Sequence, residues 1–394
     1  MDDNPRDPDV AADLDDDLDD GRRPRPGAGR RLLLRALAAG GLLVAVLGGY
    51  AGYWFWAAAA VRDGAADWVA RAAADGLVAR FEGMEVGGFP FYLVLRLEQP
   101  RLAAPRAPQP WAWGARRAVA RARPWDLNHV HVDAAGDQGV TVTVDGRDVA
   151  YTGRAERLEA DLTLRHGRMA AVAARVGGLG LDAPAPFGPV AVRDLAVDLV
   201  WPSDPGKAGA AAAPATSLHL DLRGRGLSVS DGLDLPLGAK LSAVALSADL
   251  RGPIPRPPDA ASLAAWRDAG GTLEVVNLDL DYGPLSLLGE GTLAVDEALQ
   301  PVGAMTAKIQ GFFEAVDALR ARGLIRSRAA STAKILLGVM AKKSPEGGPS
   351  TLSLPLTLQE RKLYVGPVPL VVLPPLRWAG APPPDTDGKA DAGG

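Results

Sequence analysis

Histidines and a carboxylate in one short segment are the first candidates for chemistry in this chain. His129, His131 and Asp133 alternate along a predicted strand, so their side chains share one face. Imidazole nitrogens and carboxylate oxygens are zinc ligands in proteins, and this spacing permits a metal site. A polar strand face turned to water explains the same residues, and a third firm ligand is not evident. We predict no bound metal, with a metal-dependent hydrolase at His129 and His131 as an alternative.

The rest of the sequence argues against catalysis. The chain has no cysteine, which excludes thiol chemistry, disulfides and a lipidated cysteine anchor. No G-x-S-x-G, H-E-x-x-H or P-loop motif occurs, and we interpret His166 and His219 as isolated residues. We therefore predict a protein that is not an enzyme and carries no cofactor.

An apolar stretch near the N-terminus is the first predicted structural element of the chain. The stretch from Ala36 to Val61 carries no charge and would reach about 39 Å as a helix, more than the roughly 30 Å hydrocarbon core of a bilayer. Arginines precede it, so the positive-inside rule places the N-terminus in the cytoplasm. A signal peptide cleaved near residues 57–60 is the alternative to a retained anchor. The predicted anchor residues are Leu42, Leu43, Val46, Leu47, Tyr53, Trp54 and Trp56.

The anchor divides the chain into four predicted segments. Residues 1–30 begin with a run of aspartates followed by arginines and predict a disordered cytoplasmic tail, and residues 31–61 form the transmembrane anchor. Residues 62–378 form one periplasmic domain, and residues 379–394 form a second disordered tail. The net charge of −4 comes largely from the acidic tail. No basic stripe with interleaved aromatic residues occurs, so we predict no nucleic-acid partner.

Short segments of alternating polarity fill residues 62–378. Such alternation places apolar side chains on one face of a strand and polar side chains on the other. It predicts a mainly β, α+β fold in which a large antiparallel sheet follows a single transmembrane helix. The apolar sets are Phe91, Leu93, Leu95 and Leu97; Val140, Val142 and Val144; Leu195, Val197, Leu199 and Trp201; Leu218, Leu220 and Leu222; Leu278, Leu280 and Tyr282; and Leu352, Leu354, Leu356 and Leu358.

Few helices are predicted to cover these apolar faces. They are an alanine-rich continuation to Ala74, a helix over Ala260–Ala269 and a C-terminal pair within Phe312–Met340, broken at Gly323 and with Ser327 as a cap. Residues 208–214 predict a flexible loop. The sheets therefore either pack on each other as a closed sandwich, or curve and leave an apolar groove for acyl chains or a protein. The groove residues would be Phe91, Leu93, Leu95, Leu97, Leu195, Val197 and Leu199.

Several motifs in a fixed order resemble an uncharacterised bacterial family, the domain of unknown function 2125. They are Gly88-Phe89-Pro90-Phe91, the segment from Arg123 to Val130, the segment from Leu263 to Gly271, and the proline-rich segment from Gly366 to Leu376. The resemblance implies a fold and a location but no catalytic residues. More loosely, the single anchor and the many strands resemble AsmA-like periplasmic proteins, which are associated with phospholipid transport.

Three functions remain open from the sequence. The first is an inner-membrane-anchored periplasmic protein that binds or transfers lipid through an apolar β groove, with membrane lipids as partners. The second is a non-catalytic scaffold for the cell envelope, with other envelope proteins as partners. The third is the periplasmic hydrolase named above.

Overall fold

A computed structural model describes residues 28–380, apart from residues 145, 203–213, 231–234, 236, 324, 342–349, 366–367 and 374. The predicted cytoplasmic tail up to residue 27, the loop over residues 208–213 and the C-terminal tail from residue 381 lie outside the described residues. The chain forms two compact units, Met1–Phe55 and Trp56–Gly394.

A long N-terminal helix contains the predicted anchor. Helix α1 covers Ala28–Ala74, because the alanine-rich segment after the apolar stretch favours helix and continues it. The helix ends before Gly76, which takes a positive φ of 80°. Among the described residues, Leu37–Ala74 is the one stretch of helix long and apolar enough to cross a membrane. Of the predicted anchor residues, Trp54 is buried and the following are exposed: Leu42, Leu43, Val46, Leu47, Tyr53 and Trp56.

The rest of the described chain is dominated by antiparallel strands that all belong to one sheet. The first nine are β1 Val78–Arg80, β2 Gly83–Gly87, β3 Leu93–Glu98, β4 Arg101–Ala104, β5 Trp111–Ala115, β6 Arg117–Arg123, β7 Asp126–Asp133, β8 Gly136–Val144 and β9 Arg147–Arg165. The others are β10 Arg168–Asp182, β11 Val190–Val200, β12 Thr216–Ser228, β13 Lys240–Arg251, β14 Thr272–Tyr282, β15 Leu285–Val295, β16 Pro301–Gln310, β17 Leu352–Gln359, β18 Lys362–Val365 and β19 Val368–Val372. The predicted mainly β class is confirmed, and the sheet does not close into a barrel.

The sheet forks at its longest strand, β9. The N-terminal half of β9 pairs with β8 and its C-terminal half pairs with β7. One arm continues from β7 through β6 and β3 to β2, and the second arm continues from β8 through β5 and β4 to β1. On its other edge β9 pairs with β10, and each strand from β10 to β19 then pairs with the next in the chain.

The pairing register places the apolar residues of successive strands opposite one another. One row crosses the sheet from the first arm to β17 and contains only apolar residues and one glycine. Its members are Leu95, Ala120, Val132, Ala160, Ala174, Val197, Leu222, Leu246, Leu278, Gly289, Ala307 and Leu354. The sheet therefore has one continuous apolar face, which we call the apolar face.

A line of backbone irregularities crosses neighbouring strands. Gly178 in β10 and Gly226 in β12 take positive φ angles of 56° and 61°, and β13 carries an extra residue between Leu241 and Ala243. The extra residue of β13 shifts its two-residue alternation by one relative to β14. In β10 the register does not shift: Val176 pairs with Leu195 and Leu179 with Val192, so Gly178 and one residue of β11 are left out of the pairing.

Three short helices cover parts of the apolar face. They are α2 Ala260–Asp268, α3 Phe312–Ala321 and α4 Ser327–Met340, which confirms the predicted helix and the predicted pair. Phe312 of α3 packs with Ile309, Leu352 and Leu354 over the β16–β17 end of the sheet. Leu263 and Trp266 of α2 pack with Leu299 at the ends of the strands. The prediction of Ser327 as the cap is wrong, since α4 starts at Ser327 and its N-cap is Arg326 without a side-chain bond.

We expect Trp266→Phe to destabilise the domain by about 1–2 kcal/mol, because a partly buried carbonyl then loses its donor. The Trp266 indole N–H donates to the Arg251 carbonyl over 2.8 Å, and the side chain is buried. Denaturant unfolding of the detergent-solubilised full chain measures the change. Trp125→Phe is the control, since Trp125 is exposed, and an equal loss in both variants would contradict a specific role of the Trp266 bond.

Candidate functional site

The predicted groove residues lie on the apolar face, with one exception. Register links Leu93, Leu95 and Leu97 of β3 to the same face as Leu195, Val197 and Leu199 of β11, although the two strands are far apart in sequence. The placement of Phe91 in this strand is wrong, because β3 begins at Leu93 and Phe91 lies in the preceding turn. The prediction that Trp201 belongs to the same strand as Leu199 is also wrong, since β11 ends at Val200.

The apolar face is closed at one end of the sheet and partly open in its centre. Leu352, Leu354 and Leu356 of β17 are buried beneath the C-terminal helices. Leu195, Val197 and Leu199 of β11 are only partly buried, as are Leu95 and Leu97 of β3. Leu93 is buried. A closed sandwich would bury such leucines and valines at the centre of its sheets, so the centre resembles a half-covered surface more than a core.

The second arm bends back over the sheet. The turn after β4 and the segment before α2 belong to opposite ends of the strands, yet Ala104 and Pro257 line one hollow of about 270 Å³. The register places Trp111 and Trp113 of this arm on the apolar face. At the fork, the Trp113 indole donates to the buried Gln138 side chain over 3.0 Å. The arm and the main sheet thus bound the apolar face from two sides.

A second hollow, of about 490 Å³, lies against the outer part of the first arm. Its polar lining is Tyr92, Arg121, Arg123, Asp126, His129, His131, Asp161 and Thr163. Neither hollow is lined by Leu195, Val197 or Leu199. The second hollow lies on the polar face, since its residues Arg121, His131 and Asp161 are paired across β6, β7 and β9. On the apolar face, Leu195, Val197 and Leu199 stay partly exposed.

The candidate metal ligands each have a separate partner. The ring of His129 is 2.8 Å from an Asp126 oxygen, and the ring of His131 is 2.8 Å from an Asp161 oxygen. Asp133 accepts a hydrogen bond from the Ala135 amide over 2.9 Å. Within the part of the chain that the structure describes, no three histidine or acidic side chains converge as metal ligands would. These contacts favour a polar strand surface.

His219 lies between two carboxylates on the polar face of the sheet, a pairing that the sequence analysis missed. Its Nδ1 is 2.6 Å from an Asp249 oxygen, and its Nε2 is 3.0 Å from an Asp221 oxygen. Both nitrogens donate when the ring is protonated, and the pKa of His219 is raised, chiefly by the hydrogen bond to Asp249 and against the effect of burial. Asp221 adds to the rise. The spacing of His219 and Asp221 was visible in the sequence, whereas Asp249 needed the register of β13.

We expect the stabilising effect of His219 to weaken in alkaline solution. Because its pKa is higher in the folded than in the unfolded chain, the contribution is fully present below the unfolded pKa of about 6.5 and is lost as pH rises through the folded pKa. The unfolding free energy of the wild type minus that of His219→Gln should therefore fall with rising pH. His166→Asn, in an exposed turn, is the control. A pH-independent difference for His219→Gln would contradict stabilisation by the bonds from His219 to Asp221 and Asp249.

The fold and the site define a class of protein: a membrane-length helix followed by one forked antiparallel sheet with a half-covered apolar face. The chain matches the family model described as an uncharacterized protein conserved in bacteria, DUF2125, over residues 54–374, and it belongs to that family. The resemblance read from the motifs is thereby confirmed. No curated protein and no solved structure matches the chain, and the looser similarity to AsmA-like proteins stays a prediction.

Proposed function

We propose that this protein binds or transfers lipid on the apolar face of its sheet. The observation that carries the proposal is the continuous apolar row, which runs without a polar residue from Leu95 to Leu354. At the centre of this row the side chains remain partly exposed to solvent. Apolar surface of this extent in a water-soluble domain is typical of a binding site for an apolar partner. Acyl chains are the nearest such partner for a chain with a membrane-length helix.

The proposed location is the bacterial inner membrane. Helix α1 would be the retained anchor, with the arginine-rich segment before it in the cytoplasm and the sheet in the periplasm. Residues 62–378 would then be the periplasmic domain. Lipid leaving the outer leaflet could reach the apolar face without crossing the membrane again.

A photocrosslinking experiment with neighbouring residues tests the proposal. Val197 lies on the apolar face and Ala196 on the opposite face of the same strand, and both are partly buried. A photoreactive amino acid is placed at either position of the full chain in cells whose phospholipids carry radiolabelled phosphate. We expect a labelled adduct from position 197 and none from position 196. Equal labelling, or protein adducts alone at position 197, would refute lipid binding, and protein adducts would support the scaffold alternative.

A further inference from the structure

Two exposed turns lie side by side at one end of the first arm. One joins β2 to β3 and the other joins β6 to β7, and they are neighbours because Leu93 pairs with Ala122. Phe91 is 66% exposed and Trp125 is 62% exposed. We call this group the aromatic tip; its members are Phe89, Phe91, Tyr92, Trp125 and Leu127.

The backbone holds these rings outward. Gly88 takes a φ of 98°, and the Tyr92 amide donates to its carbonyl over 3.0 Å, which closes the first turn tightly. A side chain at Gly88 would approach the Tyr92 carbonyl oxygen to 2.7 Å, so only glycine fits. In the second turn Pro124 is fully buried while Trp125 is exposed to solvent. Large apolar side chains are thus presented from two tight turns.

Positive charge lies directly beneath the tip. Arg121 and Arg123 at the end of β6 are exposed and line the hollow of about 490 Å³ together with Tyr92. Neither arginine makes an ion pair within the described residues. The acidic groups of this hollow, Asp126 and Asp161, are each held by a histidine. The arginines are therefore available to an external anion.

The aromatic tip with Arg121 and Arg123 next to it has the composition that favours a bilayer interface. Tyrosine, tryptophan and phenylalanine favour the boundary between headgroups and acyl chains, and arginine favours the lipid phosphates. In the sequence only β1 and β2 separate the end of the membrane-length helix α1 from the first turn. The tip also adjoins Leu93, the first residue of β3 on the apolar face.

We propose that the aromatic tip inserts into the interfacial layer of the bilayer that holds α1, with Arg121 and Arg123 bound to lipid phosphates. The apolar face would then open at the membrane surface. Insertion of the tip does not depend on lipid binding to the apolar face. It does depend on anchoring of the chain, which the experiment below checks separately.

The absence of cysteine allows single labelled sites in the full chain. Phe91→Cys and Trp125→Cys carry an environment-sensitive nitrobenzoxadiazole label, and the control Ala185→Cys lies in the β10–β11 turn at the opposite end of the strands. The protein is reconstituted in nanodiscs of phosphatidylethanolamine and phosphatidylglycerol, and co-elution with the discs establishes anchoring. We expect emission at shorter wavelength and quenching by shallow nitroxide lipids at positions 91 and 125, but not at position 185. Co-eluting protein whose labels behave alike at the three positions would overturn the proposal.

The arginines are tested in the same discs. Near an anionic surface each arginine contributes about 1 kcal/mol, so Arg121→Gln and Arg123→Gln should each shift the equilibrium between inserted and free tip about fivefold toward the free state. Arg223→Gln, an exposed arginine on β12, is the matched control and should leave it unchanged. Unfolding midpoints equal to that of the parent protein show that the variants fold. An unchanged inserted fraction in both tip variants would refute phosphate binding.

Discussion

Leu222→Glu should remove lipid from the apolar face and leave the protein folded. Leu222 lies between Val197 and Leu246 in the central row and is partly exposed. The substitution removes an apolar contact worth about 1.5–3 kcal/mol and places a charge where the proposed acyl chains would lie. Lipid occupancy should fall at least about tenfold, the factor that corresponds to 1.4 kcal/mol. The yield of phospholipid adduct from a photoreactive group at position 197 measures this loss without counting lipid around the helix.

Arg223→Glu is the matched control for this variant. It introduces the same carboxylate at the next residue of β12, where the side chain is exposed on the opposite face. The adduct yield should equal that of the parent protein, and both variants should stay within about 1 kcal/mol of its unfolding free energy. If the apolar face were a closed core, Leu222→Glu would bury an unpaired carboxylate and unfold the domain. Unfolding of this variant alone would therefore contradict an open face.

The local pattern of polarity predicted most strands and their faces correctly, with Phe91 and Trp201 as exceptions. Alternation depends only on neighbouring residues, and it is strong wherever one face of a strand is covered. Segments such as Leu218 to Leu222 and Leu352 to Leu358 are therefore found in strands with the expected faces. Leu95 and Val197 lie in one row because of the pairing register of the strands. Alternation within one strand does not predict that register. The choice between a sandwich and a single curved sheet stayed open for that reason.

The fork and the line of irregularities could not be predicted by following a two-residue period. Strand β9 serves two neighbours on the same edge, and which half pairs with which strand depends on contacts distant in sequence. At Gly178 and Gly226 the period breaks, so the pattern there reads as the end of a strand although the strand continues. A glycine between two alternating runs of opposite phase is the signal that indicates such a break in the alternation.

The candidate site shows the same division between local and distant information. The helix boundaries at Ala260 and Phe312 follow from local signals, including the capping box of Asp259 and Ser262. The alternation predicts Phe91 in a strand, yet a tight turn at Gly88 precedes β3, which begins only at Leu93. The sequence alone indicates an isolated His219, because its partner Asp249 lies on the next strand. Side-chain partners on neighbouring strands depend on the pairing register, and a single sequence does not predict that register.

Gly311→Ala should cause one of the largest losses of stability in the domain. Gly311 lies between β16 and α3 as the N-cap of the helix, with a φ of 70°, a conformation that costs other residues about 1–2 kcal/mol. A Cβ atom there would also overlap the Pro284 carbonyl oxygen, so the turn between β14 and β15 or the start of α3 must move. Phe312 would leave its place over Ile309 and Leu352. We expect a loss of about 4 kcal/mol or more, measured by denaturant unfolding of the solubilised full chain.

Gly323→Ala separates the two causes of that loss. Gly323 follows α3 with nearly the same φ, 71°, but no atom lies within 4 Å of the position that its Cβ would take. This control should cost only the conformational term of about 1–2 kcal/mol. Equal losses in the two variants would mean that the overlap with Pro284 relaxes freely, and that α3 is not held by this turn. A larger loss for Gly311→Ala would show that the turn keeps α3 in place, and with it the closed end of the apolar face.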